Sequence, residues 1–382
     1  MVLSGGEDGC IRSASTWKDT KAANLGTGGS MSAAKAKKKG LAPEEVAYAG
    51  IVGLAANSSR EAAWDNVLAR HRDALPATSW SSRRQRLGAH SLAHARFPSQ
   101  PQWRSAVCTS LELSSCGNFA VLGYSSGHVD LWNVQSGIHR GCFKMKGEGK
   151  EMQQRAHTGS ITGLAMDALN QSLFTGGSEG WLKVWRVGSK AERARLQVGE
   201  GLACLSHHRD AALLAVGGQA AQLLVVDAAG LRIARRLHET LKRSYAWRAA
   251  VFSADGNWLL ALCESGSIFV WDLPTARLID RLHFDQPATG LAMSPSGEFL
   301  ATSHAHSLGV SLWTNRSVFS PHFAMRPITD EDFASMELPM SAPIAAAEGS
   351  SETSLVDLET MEEEEAEYQD PAALPGHISL SG

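Results

Sequence analysis

Apolar and polar residues alternate along the chain in a pattern that returns at regular intervals. The string SLFTGGSEGWLKVW (Ser172–Trp185) gives an apolar strand, a turn with glycine and an acid, and an alternating strand that ends in Trp. Period-two alternation is typical of a half-buried β-strand. The same order returns in NFAVLGYSSGHVDLWN (Asn118–Asn133), NWLLALCESGSIFVWD (Asn257–Asp272) and, with one extra residue in the turn, EFLATSHAHSLGVSLWT (Glu298–Thr314). A degenerate copy, ALLAVGGQAAQLLVVD (Ala212–Asp227), has Val226 where Trp would stand. The chain therefore repeats one β-hairpin unit.

The spacing of these units predicts the fold class. Their last landmark positions, 132, 185, 226, 271 and 313, lie 41 to 53 residues apart, which is about the length of one four-stranded propeller blade. Each unit also begins with a further alternating strand, such as ITGLAMD (Ile161–Asp167). We therefore predict an all-β protein of the WD40-type β-propeller class.

Five residues are predicted to hold the blades together. Trp132, Trp185, Trp271 and Trp313 end their strands at equivalent positions, and we expect each to pack between adjacent blades, where its indole N–H needs a hydrogen-bond partner. His157, in the string AHTGS, lies where a WD-type blade often carries a structural histidine.

Two less regular units complete the ring. The string LSGGEDGCIRSAS (Leu3–Ser15) matches the second and third strands of the repeat, and a divergent blade with Trp64 and Trp80 lies between Tyr48 and Phe97. One incomplete and six fuller units predict seven blades, the first without its leading strand. Because an open strand edge is costly, the sequence is expected to be truncated at its N-terminus.

Composition along the chain predicts the domain organisation. We expect a partial blade at residues 1–16, a flexible Lys-rich insert at 17–43, a divergent blade at 44–97, five WD-like blades at 98–326 and an acidic low-complexity tail at 327–382. The insert is rich in small residues, as flexible linkers are. The tail contains EEEEAE and loses the repeat, so we expect it to be disordered.

A lysine cluster ends the predicted insert. Lys35, Lys37, Lys38 and Lys39 fit a nuclear-import signal or a patch that contacts RNA phosphates. A solvated run of charge is the alternative interpretation.

The net charge of −3 conceals an asymmetry. From Asp330 onward there are 14 acidic residues and no Lys or Arg, which leaves a surplus of 11 positive charges in the rest of the chain. A basic body permits a polyanionic partner without identifying one. The six cysteines are scattered without a C-x-x-C pair, which argues against a zinc knuckle. No apolar run is long enough to predict a membrane span, and no signal peptide is evident.

Motifs that would carry catalysis find no supporting context. GGSEG (Gly176–Gly180) matches the nucleophile elbow of hydrolases, but that elbow requires a following helix, and here the string is a hairpin turn. The pairs His207–His208 and His304–His306 have no further ligands at metal-binding spacing. No phosphate-binding loop occurs. We therefore expect a protein that is not an enzyme and has no cofactor, metal ion or small-molecule substrate.

More specific strings resemble one WD-repeat family. WDLPTARLIDRL (Trp271–Leu282) and MSPSGEFLATSHAHSLGVSLWTN (Met293–Asn315) are similar to the last blades of the U3 small nucleolar RNA-associated protein 21 family, called WD repeat protein 36 in animals. The resemblance covers about residues 1–325. It implies a scaffold of the small-subunit processome, within the UTP-B subcomplex, that acts around U3 RNA and pre-ribosomal RNA during 18S maturation in the nucleolus. Members of the family carry two propellers and a helical domain, so this chain resembles a part of one.

Two other functional hypotheses remain open. Many WD propellers are substrate receptors of cullin ubiquitin ligases, which commonly carry W-D-x-R at the end of a blade. Here Trp271–Asp272 is followed by Leu273–Pro274, and Trp185 is followed by Arg186, which counts against that class. Direct RNA binding through the lysine cluster is a secondary hypothesis.

Overall fold

A computed structural model describes residues 1–16, 22–29, 38–145, 155–199, 201–219, 221–238, 244–319 and 338. Within them the chain forms 26 strands, three one-turn α-helices and one 3-10 helix. The chain divides into a compact unit, Met1–Pro339, and a second unit, Met340–Gly382, of which no residue is described. In the described part no helix is long and apolar enough to cross a membrane.

The strands form seven antiparallel sheets, each made of consecutive strands and here numbered as blades 1 to 7. Blade 1 contains β1 (Val2–Gly5), β2 (Cys10–Ala14) and β3 (Ala22–Thr27). Blade 2 contains β4 (Ile51–Ala56), β5 (Val67–His71), β6 (Ala77–Ser81) and β7 (Arg86–Leu92). Blade 3 contains β8 (Cys108–Leu113), β9 (Phe119–Tyr124), β10 (Val129–Asn133) and β11 (His139–Phe143). Blade 4 contains β12 (Ile161–Met166), β13 (Ser172–Gly177), β14 (Trp181–Arg186) and β15 (Ala191–Gln197).

The remaining elements continue the same order. Blade 5 contains β16 (Leu202–His208), β17 (Leu213–Gly218), β18 (Leu223–Asp227) and β19 (Arg232–Arg236). Blade 6 contains β20 (Trp247–Phe252), β21 (Trp258–Cys263), β22 (Ile268–Asp272) and β23 (Arg277–Leu282). Blade 7 contains β24 (Ala288–Met293), β25 (Phe299–His304), β26 (Val310–Thr314). The helices are α1 (Pro43–Val46), α2 (Arg96–Ser99), the 3-10 helix (Pro101–Trp103) and α3 (Arg316–Phe319).

The first strands of neighbouring blades contact one another and form the inner wall of the ring, so the fourth strands lie outermost. Blade 1 has no first strand among the described residues. In blade 6 the turn between the second and third strands bonds to the next blade: Gly266 O accepts the N–H of Ala288 at 3.1 Å. The turn between β1 and β2 makes the same bond, since Gly6 O accepts the N–H of Ile51 at 2.9 Å. We therefore identify β1 as the second strand of its blade.

The second and third strands pair in one register in successive blades. Leu173 lies opposite Trp185 and Leu300 opposite Trp313. The first strand of each of blades 2 to 7 contains a register shift one residue after it starts, and such bulges increase local twist. Gly180, in the β13–β14 turn, has φ +86°, and a Cβ there would meet the carbonyl oxygen of Gly199, so this turn requires glycine.

Apolar clusters join the blades in pairs. Six clusters connect blades 1 and 2, 2 and 3, 3 and 4, 4 and 5, 5 and 6, and 6 and 7, and one fully buried or nearly buried member of each is Ile11, Trp103, Phe143, Leu202, Trp247 and Phe284, respectively. Among the described residues no such cluster joins blade 7 to blade 1. Since each sheet cannot bury its two apolar faces alone, these contacts stabilise the ring.

The predicted fold class is confirmed: the described residues form an all-β, seven-bladed propeller with an incomplete first blade. Five sheets lie within residues 98–326 and one within 44–97. Among the described residues blade 7 has three strands, which the sequence pattern does not predict.

The structure also differs from the predicted flexible insert at 17–43. Strand β3 lies inside this range and pairs with β2, with Ala22 opposite Ala14 and Thr27 opposite Cys10. The edge of β2 supplies the hydrogen-bond partners, so a segment with weak strand propensity extends the sheet. For the tail at 327–382 we predict disorder, and all of its residues except Leu338 lie outside the described part of the chain. Leu338 packs against the cluster between blades 6 and 7.

Candidate functional site

A chain of hydrogen bonds holds blade 4 together from its third strand to its entry loop. Trp185 Nε1 donates to Thr175 Oγ1 at 2.8 Å, and Thr175 Oγ1 lies 2.6 Å from His157 Nε2. His157 Nδ1 lies 2.6 Å from Glu179 Oε1. Burial lowers the pKa of His157, which favours the neutral ring. Because the Glu179 carboxylate can only accept, the neutral imidazole carries its proton on Nδ1, and Nε2 accepts from the threonine hydroxyl.

Blades 7 and 2 contain the same Trp–Thr–His relay with the histidine in another place. In blade 7, Trp313 Nε1 donates to Thr302 Oγ1 at 2.8 Å, and Thr302 Oγ1 lies 2.7 Å from His304 Nε2. His304 ends the second strand, whereas His157 precedes the first strand of its blade. Its Nδ1 donates to Gln286 O at 2.9 Å. The histidine therefore still ties the hairpin to the loop that enters the blade.

In blade 2 the threonine has also changed strand. Trp80 Nε1 donates to Thr78 Oγ1 at 2.8 Å, and Thr78 Oγ1 lies 2.9 Å from His71 Nε2. Thr78 belongs to the third strand and pairs directly with Ala69, which occupies the second-strand position that holds Thr175 in blade 4. The hydroxyl thus reaches the same place from across the ladder.

Blade 3 replaces this relay with a buried ion pair. Both carboxylate oxygens of Asp130 lie 2.6 Å from an Arg96 guanidinium nitrogen, and the two side chains are fully and nine-tenths buried. Burial raises the pKa of Asp130, but His139 and Arg96 lower it by more, so the net shift is downward. Arg96 starts α2, so this pair fixes the connection between blades 2 and 3.

In blades 2, 3 and 4 the position two residues before the interblade Trp carries different buried polar groups. It holds Thr78 in blade 2, Asp130 in blade 3 and Lys183 in blade 4. Lys183 is 2% exposed, and its Nζ donates to Ala156 O at 2.8 Å. Burial lowers the pKa of Lys183. Each group has a partner, as buried polar groups require.

The four predicted tryptophans occupy equivalent places, with unequal burial. Trp185 and Trp271 are fully buried, Trp132 is 6% exposed and Trp313 is half-buried. Trp271 packs against Trp247 and Phe269 at ring-centroid distances of 5.6 and 5.8 Å. These residues form the supports between blades and contribute no reactive group.

The turns that follow the first strands lie on one face of the ring and bond to one another. Trp64 Nε1 of blade 2 donates to Gly117 O of blade 3 at 2.9 Å, and Ser115 N of blade 3 donates to Asn170 Oδ1 of blade 4 at 2.8 Å. Beyond these, His207 Nδ1 donates to Met166 O, and His208 Nε2 to Ala254 O, both at 3.1 Å. We call this set the turn face. It continues across blades 2 to 6 and ties neighbouring blades together on that side of the ring.

These contacts explain the histidine pair at 207–208, whose ring nitrogens bond to carbonyls of neighbouring blades. In the described part of the chain, no three His, Cys, Asp or Glu residues are grouped closely enough to hold a metal ion. The GGSEG string forms the end of β13 and the turn before β14. Ser178 Oγ accepts the N–H of Ser160 at 3.0 Å.

An ion pair crosses the inner wall of the ring. Arg209, in the turn after β16, lies 2.9 Å from Glu112 Oε1 at the end of β8. These residues belong to blades 5 and 3, so the pair spans blade 4. Burial raises the pKa of Glu112 to about 7 despite the nearby guanidinium, although about a fifth of the side chain remains exposed.

The outer strands carry a concentration of arginine that sequence reasoning missed. Strands β7, β11, β15, β19 and β23 contain nine Arg and two acidic residues, Glu192 and Asp280. Three of the arginines, Arg232, Arg235 and Arg236, are exposed on β19 alone. We call these five strands the basic rim. The available signal was the repeated Arg in the fourth strand of each unit, which becomes a common surface only when the strands are placed in the ring.

The predicted lysine cluster is only partly visible. Lys38 and Lys39 are exposed, and Lys35 and Lys37 lie outside the described residues. The structure therefore leaves the role of this cluster as a prediction.

Comparison with known proteins identifies close relatives. A family model for the WDR36/Utp21 second beta-propeller domain matches residues 1–339. Human WD repeat-containing protein 36 is 36% identical over 331 residues, which are 86% of this chain and 35% of that protein. The U3 small nucleolar RNA-associated protein 21 homolog of Schizosaccharomyces pombe is 32% identical over 340 residues, covering 89% of this chain and 35% of that protein.

A third relative extends the comparison. U3 small nucleolar RNA-associated protein 21 of Saccharomyces cerevisiae is 29% identical over 292 residues, covering 76% of this chain and 29% of that protein. The chain therefore spans about a third of the length of these curated relatives.

Removing the relay hydroxyl should destabilise the ring. Thr175→Val keeps the side-chain shape but leaves Trp185 Nε1 and His157 Nε2 buried without their partner. This should lower the free energy of unfolding by about 2–5 kcal/mol. Thr162→Val in the same blade removes one hydroxyl bond to Gly176 O at the half-buried first strand and should cost less than about 1 kcal/mol. Denaturant unfolding measures both, and equal losses would contradict the relay.

The carboxylate of Glu112 should make stability depend on pH. Because the pKa of Glu112 is about 7 in the folded chain against an ordinary 4.5, its proton stabilises the fold fully below pH 4.5. This contribution is lost as pH rises through about 7. Between pH 5 and pH 8 the free energy of unfolding of the wild-type chain should fall by on the order of 1–3 kcal/mol. Glu112→Gln should abolish this fall. Glu61→Gln, at an exposed carboxylate, should keep the wild-type profile; the account fails if both variants keep it.

Proposed function

The chain belongs to the WDR36/Utp21 family, and from this premise we propose that it acts as a non-enzymatic WD-repeat scaffold of the small-subunit processome. It would work within the UTP-B subcomplex in 18S pre-rRNA processing and ribosome biogenesis. The observation that carries the proposal is the family match over residues 1–339, since two of the relatives are named for association with U3 small nucleolar RNA. The expected location is the nucleus, and within it the nucleolus.

The geometry suits a scaffold. The turn face is tied together by bonds between successive blades, so a protein that contacts several blades meets a surface of fixed shape. Propellers commonly bind partners through such faces. Other WD-repeat subunits of UTP-B are the expected protein partners, and no membrane or small-molecule substrate is expected.

The basic rim favours a second, direct contact with U3 RNA or pre-rRNA. Its nine arginines outnumber its two acidic residues, and guanidinium groups bind phosphates in a bidentate manner. Together with the predicted lysine cluster at Lys35, Lys37, Lys38 and Lys39, this surface would hold an RNA backbone without reading its sequence.

Affinity purification of the tagged full-length protein tests the scaffold. Mass spectrometry and RNA sequencing should recover UTP-B subunits with U3 RNA, and depletion of the protein should block maturation of 18S precursors. Recovery of a cullin adaptor instead would favour the alternative, a substrate receptor of a cullin ubiquitin ligase. In the structure Asp272, after Trp271, accepts the N–H of Thr275 at 3.0 Å, so this blade end uses its acid locally.

Reversing charge on the rim should weaken RNA binding. The triple change Arg232→Glu, Arg235→Glu and Arg236→Glu should lower affinity for U3 RNA and flatten its salt dependence. The slope of log affinity against log salt should fall by about 0.7 for each phosphate contact that is lost. Filter binding at several salt concentrations measures both quantities.

A matched control uses arginines outside the basic rim. Arg83 and Arg84 in the β6–β7 turn and Arg104 after the 3-10 helix are exposed, and reversing these three charges changes the net charge equally. If the two triple variants lose the same affinity, binding reflects net charge alone and the contact at blade 5 is wrong.

A further inference from the structure

Blade 4 carries a tryptophan that the packing between blades does not require. Trp181 starts β14, directly after the turn residue Gly180. It is half-buried, and it belongs to none of the six apolar clusters among the described residues. None of the residues in the same register of blades 3, 5, 6 and 7 is Trp, Tyr or Phe. These residues are His128, Gln222, Ser267 and Gly309.

An arginine of the basic rim lies over the ring of Trp181. The guanidinium carbon of Arg195, on β15, is 5.2 Å from the ring centroid. Arg195 pairs directly with Lys183, two residues after Trp181, so all three side chains share one side of the sheet. The side chain of Arg195 is 60% exposed, and its ion pair with Glu192 is long, 3.9 Å from Nε to Oε1. The guanidinium therefore has room for a further anionic partner.

Two other tryptophans that lie under an arginine are used within the fold. Arg60 lies over Trp64 at 5.5 Å, but the indole N–H of Trp64 is donated to a carbonyl of blade 3. Arg155 lies over Trp103 at 5.8 Å, and Trp103 is only 2% exposed. In the part of the chain that the structure describes, the indole of Trp181 makes no hydrogen bond between blades. Its ring is therefore available to a partner from outside.

Further exposed cations lie around this ring. Lys144 directly follows the outer strand of blade 3 and is exposed. The next residue, Met145, has its Sδ 3.0 Å from Lys183 Nζ. Since Lys183 is the same-side neighbour of Trp181, Met145 brings Lys144 to the side of blade 4 that carries the tryptophan. Arg193, also exposed, lies two residues before Arg195 on β15.

We propose that Trp181 and Arg195 form a stacking site for one unpaired base of single-stranded RNA. The base packs against the indole, and Arg195, Lys144 and Arg193 contact the phosphates on either side of it. Because every base presents a π-face, such a site accepts any base and excludes one that is paired within a duplex. This inference rests on the RNA contact proposed above and adds that a base is held as well as the backbone.

The combination of ring and charge favours RNA over a peptide. A proline-rich peptide can pack against an aromatic ring, but it gains nothing from the flanking cations. An acidic peptide gains from the cations, but it presents no flat group to the indole. A single RNA strand offers both a planar base and a phosphate in every nucleotide, which matches the alternation of aromatic and cationic groups here.

Two RNA strands of equal charge test the stacking site. One is a single-stranded oligouridine of about twelve nucleotides, and the other has the same length and backbone but lacks its bases. The 382-residue chain should bind the oligouridine about tenfold more tightly than the abasic strand, measured by fluorescence anisotropy at one salt concentration. Trp181→Leu should bind the two strands equally, whereas Trp181→Phe, which keeps an aromatic ring, should retain the preference.

A matched variant controls for loss of a half-buried tryptophan. Trp258 is also half-buried, but it starts β21 in blade 6, away from β15. Trp258→Leu should retain the preference for the oligouridine, and circular dichroism will verify that each variant is folded. Loss of the preference in both leucine variants would overturn the proposal.

Failure of the stacking site and failure of the RNA contact give different results. If the unchanged chain binds both strands equally and the triple change at Arg232, Arg235 and Arg236 weakens both, the rim contacts RNA and the stacking site is wrong. If neither strand binds, both proposals are wrong. If Trp181→Leu leaves both RNA affinities unchanged but removes a protein from the purified complex, the ring binds a protein, which also overturns the proposal.

Photochemical cross-linking locates the base directly. An oligouridine that carries 5-bromouracil should cross-link to Trp181 on irradiation, and mass spectrometry of the digested protein should find the adduct in the peptide that contains β14. The adduct should be absent from Trp181→Leu. Cross-links at other aromatic residues and none at Trp181 would overturn the proposal.

Discussion

Burial of both faces of every sheet against its neighbours is the constraint on which this propeller depends. A blade of four short strands cannot shield its two apolar faces, so stability comes from the six clusters between successive blades. Strand register, the bulges that increase twist and the placement of Trp at the end of third strands all serve that packing. The turn face and the basic rim are surfaces that the packed ring holds in place.

Different residues supply equivalent polar contacts in different blades. Thr175 and Thr78 bring a hydroxyl to one place from two different strands. His157 reaches the threonine from the loop before the first strand, and His304 from the end of the second strand. Asp130 substitutes an ion pair at the same level of blade 3. In blades 2, 4 and 7 the indole N–H has a hydrogen-bond partner, and in blade 3 the charge of Asp130 is paired. Removing one of these partners would leave a buried polar group unsatisfied and cost stability.

Local pattern was sufficient to predict the hairpins but not the contacts between them. The string at 172–185 predicted β13 and β14 because alternation, glycine turn and Trp are all local. The partners of Asp130 and Glu112 lie 34 and 97 residues away in sequence, and no spacing rule connects them. Strand β3 was missed because AANLGT lacks β-branched and aromatic residues and pairs only through the edge that β2 offers.

The central claim is that, among the described residues, apolar clusters pack the ring at six interfaces and no such cluster joins blade 7 to blade 1. Native-state hydrogen exchange of the 382-residue chain tests it most directly, because amides without hydrogen bonds exchange without global unfolding. The account predicts that amides of β13 and β14 exchange only through global unfolding, while the free-edge amides of β1 exchange far faster. Equal protection of β1 and β13 would contradict it.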